Sequence, residues 1–350
     1  MRILVYGAGA VGGYVGGRLA QAGHQVTLIV RDVTAESIDA KGLIIQENGQ
    51  SVLAQPATTT SVAQTFLSPD IQFDLIIMGM KAYDLKTAID HLVAFCPDPP
   101  PILTLQNGIG VERPLLDQFG PQRLIIGALT TPVSKPMSNQ IVVERSDRGL
   151  GIAPAKLGQP ISQWVNLFRQ SGVTTEAYKD YESMKWSKAL LNIVANATSA
   201  ILNRPPGVVY KSEAMFDLEV RMLRETLAVM DALNLEVVDL PGSSARRLAF
   251  GVQKAPRLVL KPILTGIVAK GRGDKMPSFQ IDLMAGKGQS EVIFHNGAIA
   301  KIGLAHNIPT PVNTALTDVL LRLARHELDW RDFDGKPGRL LAEVARFEKS

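Results

Sequence analysis

Three glycines, Gly7, Gly9 and Gly12, set between two short apolar runs, constrain this chain more than any other feature. Ile3-Leu4-Val5-Tyr6 is β-rich and uninterrupted in its apolar character, as a strand covered on both faces is, and it leads directly into the glycines. A helix is predicted from Ala10 and Val11 through about Ala22; Gly23 ends it, and residues 25–30 read as a second strand. In that order each glycine has a task. Gly7 permits the tight turn, Gly9 lets the backbone approach a pyrophosphate, and Gly12 lets the helix lie close on the strand, so that free N–H groups at the helix start face the anion. A lone G-x-G-x-x-G would be weak; strand, glycines, helix and second strand in register read as a dinucleotide site. The alternative is an ordinary βα turn whose glycines serve packing alone.

The end of the second strand selects the cofactor. An acidic side chain there binds a ribose 2′-hydroxyl, whereas an arginine accommodates a 2′-phosphate. Arg31 comes first after the apolar run, and its guanidinium matches phosphate geometry, which favours NADP. Asp32 follows immediately and leaves NAD open.

With 350 residues, 46% of them hydrophobic and 20% charged, the chain has room for two domains of an ordinary globular enzyme. A net charge of +4 is modest for this length and argues against a nucleic-acid partner; an anionic cofactor or substrate suits it better. The single cysteine, Cys96, excludes an internal disulfide and a multi-cysteine metal site, and no metal is expected. The first residues do not read as a signal peptide, because the apolar strand reaches glycine too soon, and no run of about 18 apolar residues reads as a membrane span. A cytoplasmic location is the default expectation.

Alternating short strands and helices follow: strands at 43–46, 51–54, 73–78, 102–105 and 124–129, and a helix at 83–95. That is the pattern of a doubly wound sheet, with ligands at the carboxyl ends of its strands. Residues 131–152 alternate more and are expected to supply antiparallel strands that finish the sheet. From about Tyr181 the pattern turns helical, over 182–202, 212–233, 280–307 with a glycine interruption, and 311–327. The expected architecture is α/β, a Rossmann-type doubly wound sheet in residues 1–180 followed by an all-helical domain in 181–350. Between Arg246 and Lys275 eight basic residues face one acid, Asp274, and read as a solvated, flexible excursion or an anion-binding lid.

Polar groups stand where such a sheet presents its ligands. Lys81 follows the strand at 73–78 and could bind phosphate or ribose oxygens; Asn107, before Gly108, follows the strand at 102–105 and could hold an amide or carbonyl against a nicotinamide. Asn107-Gly108 is also an ordinary turn sequence. In the helical half, Lys188, Asn192 and Asn196 recur every four residues in an otherwise apolar helix, so they lie along one stripe. Such groups need partners, and the stripe either lines a polar cleft or bonds to neighbouring backbone. Ser278 opens a helix as cap or ligand donor, and Glu291 begins another, where a carboxylate also suits a first helical turn.

The successive motifs GAGAVGGYVGGRLAQAGHQVTLIVR, MGMKAYD, LQNGIG, KWSKALLNIVANATSAI, MPSFQIDLMAGKGQSE and EVIFHNGAI resemble, in order and from residue 1 to about 320, those of the ketopantoate reductase (2-dehydropantoate 2-reductase) family. The resemblance implies an NADPH-dependent reductase of a small 2-keto acid, in particular ketopantoate to pantoate, as in pantothenate and coenzyme A biosynthesis. It implies that Lys188 is the general acid that protonates the ketone oxygen and that Asn192 and Asn196 contact substrate. Ser278 would bind the substrate carboxylate and Glu291 would organise the lysine and the substrate hydroxyl. Asn107 and Lys81 would sit beside the cofactor. Physically this is coherent: hydride addition to a ketone builds negative charge on oxygen, and an ammonium neutralises it by field and by proton donation. The stretch from Ser278 to Glu291 is one residue longer than the family's common spacing, through Gly286-Lys287-Gly288-Gln289. Two other readings stand beside this one, a reductase or dehydrogenase of another 2-oxo or 2-hydroxy acid, and a non-catalytic NADP-sensing protein. The apolar helical half permits a homodimer.

Overall fold

A computed structural model describes residues 1–66, 72–272, 276–286 and 288–348; Asp274, Lys275 and Lys287 lie outside the described residues. Two compact units emerge, the first comprising Met1–Asn107, Val111–Lys185 and Asp239–Ser243, the second Gly108–Gly110, Trp186–Val238 and the chain from Ser244 onward.

The first unit holds strands β1 (Arg2–Tyr6), β2 (Gln25–Ile29), β3 (Leu43–Glu47), β4 (Gln50–Ala54), β5 (Ala57–Thr59), β6 (Leu75–Met78), β7 (Ile102–Thr104), β8 (Leu124–Leu129), β9 (Val133–Met137), β10 (Gln140–Val143), β11 (Leu150–Pro154) and β12 (Thr175–Ala177). Among the described residues the larger sheet runs β12-β11-β8-β7-β6-β1-β2-β5. Its strands from β5 to β8 are parallel, β11 is antiparallel to β8, and β12 is parallel to β11. Ile3, Leu4, Val5, Ile76, Ile77 and Leu103 are fully buried, as the continuous apolar runs of a doubly covered parallel sheet require. Its helices are α1 (Ala10–Gln21), α2 (Asp32–Lys41), α3 (Val62–Phe66), α4 (Leu85–Phe95), α5 (Arg113–Phe119) and α6 (Ser162–Gln170). This is the expected α/β sheet.

Two expectations are corrected here. Strands β3 and β4 do not join the main sheet. They form a hairpin over Asn48-Gly49, both at positive φ as a two-residue turn requires, in a second sheet ordered β4-β3-β10-β9. Of the segment 131–152, only β11 completes the main sheet. The cause is α1, which is covered on two sides: a Cβ at Gly16 would lie 2.8 Å from the Leu28 side chain of the large sheet, and one at Gly13 or Gly17 would lie 2.9 Å from Ile141 or 2.8 Å from Ile45 of the small one. Leu43, Ile45 and Ile141 therefore bury against α1 instead of extending the large sheet.

Helix α7 (Tyr181–Ile193) carries the division between the units, after Lys185. The second unit continues with α8 (Ala197–Leu202), α9 (Pro206–Lys211), α10 (Glu213–Ala232), α11 (Ala245–Lys254), α12 (Arg257–Arg272), α13 (Ser278–Met284), α14 (Asn296–Ala305), α15 (Pro311–Ala324) and α16 (Pro337–Phe347). Tyr210, Phe216, Phe279 and Phe333 are buried at its core.

The helix expected over 182–202 is two helices, and the one over 280–307 is α13, a 3₁₀ turn at Glu291–Phe294, and α14. Over residues 245–272 the basic segment is helical rather than an irregular excursion. Helices α11 and α12 bury Ala249, Val252, Leu260, Leu264 and Val268, while Arg257 pairs with Glu213 and Asp217, and Lys261 with Glu213. An apolar inner side holds these helices in place, and acids on α10 account for Arg257 and Lys261. Leu258, Val259, Ile263 and Ile267 lie exposed on the other side of α12. No helix among the described residues is long and apolar enough to cross a membrane.

Candidate functional site

In the first unit the site is built where β1, β2, β6 and β7 end side by side. Gly7 has φ +90°, open to glycine and strained for other residues, and a Cβ on it would lie 2.8 Å from the Met80 nitrogen. A Cβ on Gly12 would lie 2.2 Å from the Gly7 carbonyl oxygen, and one on Gly79 2.6 Å from that same oxygen. Backbone therefore packs on backbone behind the turn. In front of it the space is open, since a Cβ on Gly9 would meet nothing within 4 Å. Gly9 is the N-cap of α1 and no side chain caps that end. A turn backed by main chain, open in front and leading into a 12-residue helix fits the pyrophosphate of a dinucleotide, with Gly7, Gly9, Ala10, Val11 and Gly12 as its cradle.

The neighbouring loops are tied to this turn. The Gln106 amide donates to the Met78 carbonyl (2.9 Å) and the Met80 carbonyl (3.3 Å), while its own oxygen accepts from the Thr104 hydroxyl (2.8 Å). This buried side chain fixes the exits of β6 and β7 to each other, and with them the positions from which exposed Lys81 and half-buried Asn107 project. Lys185 adds a second tie. Its ammonium donates to the Gln106 carbonyl at 2.6 Å and lies 3.6 Å from the Glu112 carboxylate, and both side chains are buried. Burial holds the Lys185 ammonium below the usual lysine range, against the opposing pull of Glu112. In the sequence Gln106 precedes Asn107 in the same polar loop and Lys185 lies one turn before Lys188, but neither is among the expected site residues. Arg31 follows β2, exposed, as the N-cap of α2, and Asp32 is that helix's first residue. Burial raises the Cys96 thiol, which suits an inert side chain rather than a nucleophile.

In the second unit, half-buried Lys188 and Asn192 share one face of α7. Asn196 does not continue that stripe. The helix stops at Ile193, Ala195 takes a left-handed φ of +50°, and α8 starts afresh with Asn196 as N-cap. The cause lies on α10, where the fully buried Glu219 carboxylate accepts from the Ala195 N–H (2.8 Å), the Thr198 hydroxyl (2.5 Å) and the Tyr210 hydroxyl (3.1 Å). An amide that would have bonded four residues back is diverted to a side chain distant in sequence. Asn196 then spans the break: its amide nitrogen donates to the Asn192 carbonyl (3.2 Å) and its oxygen accepts the Phe279 N–H (3.5 Å).

That last bond brings Ser278, exposed at the first position of α13, next to Asn196. Glu291 is buried at the start of its 3₁₀ turn, capped by Ser290, whose hydroxyl accepts the Val292 N–H (3.3 Å). The Asn192 carbonyl and the Phe279 N–H beside Ser278 thus meet at the Asn196 side chain, whereas Glu291 enters on a separate turn. Glu219 had no sequence motif to announce it.

A largely parallel sheet with an open glycine turn, followed by a helical unit carrying a polar break, fits an oxidoreductase that uses a pyridine nucleotide. Two family models match the chain: ketopantoate reductase PanE/ApbA over residues 3–151, and the C-terminal part of ketopantoate reductase PanE/ApbA over residues 180–324. The chain belongs to the ketopantoate reductase PanE/ApbA family. It is 27% identical over 321 residues to a 2-dehydropantoate 2-reductase from Pyrococcus horikoshii, covering 90% of this chain and 95% of the relative. Among solved structures, a PanE/ApbA family ketopantoate reductase from Ralstonia eutropha JMP134 matches with a TM-score of 0.77 at 25% identity, over 93% of this chain and 99% of that one. D-mandelate dehydrogenase with NADH and anilino(oxo)acetate has the same TM-score at 21% identity, over 93% of this chain and 99% of that one, and shares the fold.

Proposed function

We propose that the protein is an NADPH-dependent reductase of a small 2-keto acid, and that this acid is 2-dehydropantoate, reduced to pantoate for pantothenate and coenzyme A biosynthesis. The observation that carries the reading is Lys188, a half-buried ammonium sharing a helical face with Asn192 in a member of this family. A bound reduced nicotinamide supplies the hydride for the carbonyl carbon. Lys188 would hold the proton for the carbonyl oxygen, with Glu291 supporting its charge. Asn192, Asn196 and Ser278 would orient the acid, and Ser278 has an exposed hydroxyl for its carboxylate. Residues 1–180 would form the nucleotide domain, with Lys81 and Asn107 beside the cofactor, and 181–350 the substrate and dimerisation domain. The exposed apolar side chains of α12 support pairing of two copies.

Mixing the purified protein with NADPH and a panel of keto acids tests the reading. Turnover of 2-dehydropantoate is the expected result, and turnover of a different acid in its place would refute the substrate. Lys188→Ala is expected to lower kcat by about 10²–10⁴ while the NADPH Kd stays within about twofold. A nucleotide sensor would show no kcat to lose. The D-mandelate dehydrogenase likeness gives the alternative its concrete form, an aryl 2-keto acid within the same panel.

A further inference from the structure

Lys135 lies on β9 of the small sheet, within a segment whose sequence announces only alternating strands, yet its ammonium reaches the glycine turn and donates to the Ala8 carbonyl at 2.9 Å. Ala8 sits between Gly7 and Gly9. The same turn is fastened to the end of β2, where the Gly7 N–H donates to the Ile29 carbonyl (3.3 Å), and Arg31 follows two residues later. The Lys135 ammonium thus bonds the turn itself, and Arg31 stands just beyond the strand end to which that turn is fastened. Lys135 is half-buried, and burial first and the Arg31 charge second lower its affinity for a proton. Among the described residues no carboxylate forms an ion pair with Lys135 or Arg31. Like charges drawn together without a counter-ion cost free energy that an anion would recover.

We propose that Lys135 is a specificity-determining residue which, with Arg31, forms a two-cation pocket for the 2′-phosphate of NADPH. The inference rests on the NADPH reading above and adds to it the residue that the β2 terminus alone does not supply. Of its three donors, Lys135 spends one on Ala8 and has two left for a phosphate oxygen. Arg31 supplies a planar, exposed guanidinium. Lys135 also makes the small sheet a working part of the site, because β9 is what carries the second charge to the turn.

Direct binding of NADPH and of NADH, by nucleotide fluorescence without substrate, tests the pocket on four proteins: the unaltered chain, Arg31→Ala, Lys135→Gln and Lys135→Arg. Lys135→Gln removes the charge and offers an amide donor to the Ala8 carbonyl from a side chain one atom shorter, while Lys135→Arg keeps the charge. The proposal expects NADPH to bind the unaltered chain at least about tenfold tighter than NADH. Lys135→Gln and Arg31→Ala should each shrink that ratio by about tenfold, and Lys135→Arg should preserve most of it. If Arg31→Ala shrinks the ratio and Lys135→Gln does not, the Lys135 assignment is wrong while the NADPH reading stands. Equal weakening of both nucleotides in Lys135→Gln would also overturn it, since that is the mark of a residue that only shapes the turn. No preference for NADPH in the unaltered chain would overturn the cofactor reading itself.

Discussion

Helices α1 and α7 both carry candidate residues in apolar sequence, and they obey different masters. In α1 the critical neighbours are main chain and two sheets. Gly12, Gly13, Gly16 and Gly17 are glycines because a Cβ at each would fall within 3 Å of an atom already there. In α7 the decisive neighbour is one carboxylate, Glu219, which takes the Ala195 amide out of the helical ladder. A steric demand is written into the helix that meets it; an electrostatic demand is written into the helix that imposes it.

Substitution at the glycines gives the largest expected effect. Gly12→Ala should destabilise the protein by about 3 kcal/mol, because backbone rather than a flexible side chain must give way. Gly9→Ala should leave stability within about 0.5 kcal/mol, since open space faces it, and should weaken nucleotide binding instead. Denaturant unfolding of the two variants, with NADPH titrations, reads both halves of that contrast. Equal losses of stability would show that the turn is not open in front.

Next comes Glu219→Gln, which keeps the shape and replaces one acceptor oxygen by a donor facing donors. A cost of about 2–3 kcal/mol is expected from chemical denaturation. Because Asn196 and the Phe279 bond depend on the break, KM for the keto acid should rise more than the NADPH Kd. A variant as stable as the parent would mean that Glu219 does not hold the α7–α8 break.

The smallest effect is the most diagnostic. In a helix interior Ala→Gly costs up to about 1 kcal/mol, but at a φ of +50° glycine is the relaxed residue. Ala195→Gly should therefore be neutral or stabilising by up to about 1 kcal/mol. A loss of that size would restore the continuous helix that the four-residue spacing suggests.

Much of the first unit was legible. Residues 3–6 and 25–30 with the glycines between them name a βα β unit because buried parallel strands and a close helix leave little freedom of composition. The runs at 73–78, 102–105 and 124–129 read as strands for the same reason, and each is observed close to those limits. The destination of β3, β4, β9 and β10 was not legible, since alternation states that one face is buried and not what buries it. The doubled glycines of α1 carried that information and are intelligible only with both sheets in place. In the site, Lys188 and Asn192 follow from spacing; the departure of Asn196 from their stripe does not.

The sequence by itself determined the parallel sheet, the glycine turn at its heart and the helical character of the second half, because hydrophobic period and glycine placement act over a few residues. Only the tertiary structure decided which sheet each short strand joins, where α7 breaks, that residues 245–254 and 257–272 of the basic segment are helical, and that Lys135 meets the turn. Each of these depends on a partner far away in sequence, such as Glu219 for Ala195 or Ala8 for Lys135, and local pattern carries no record of such a partner.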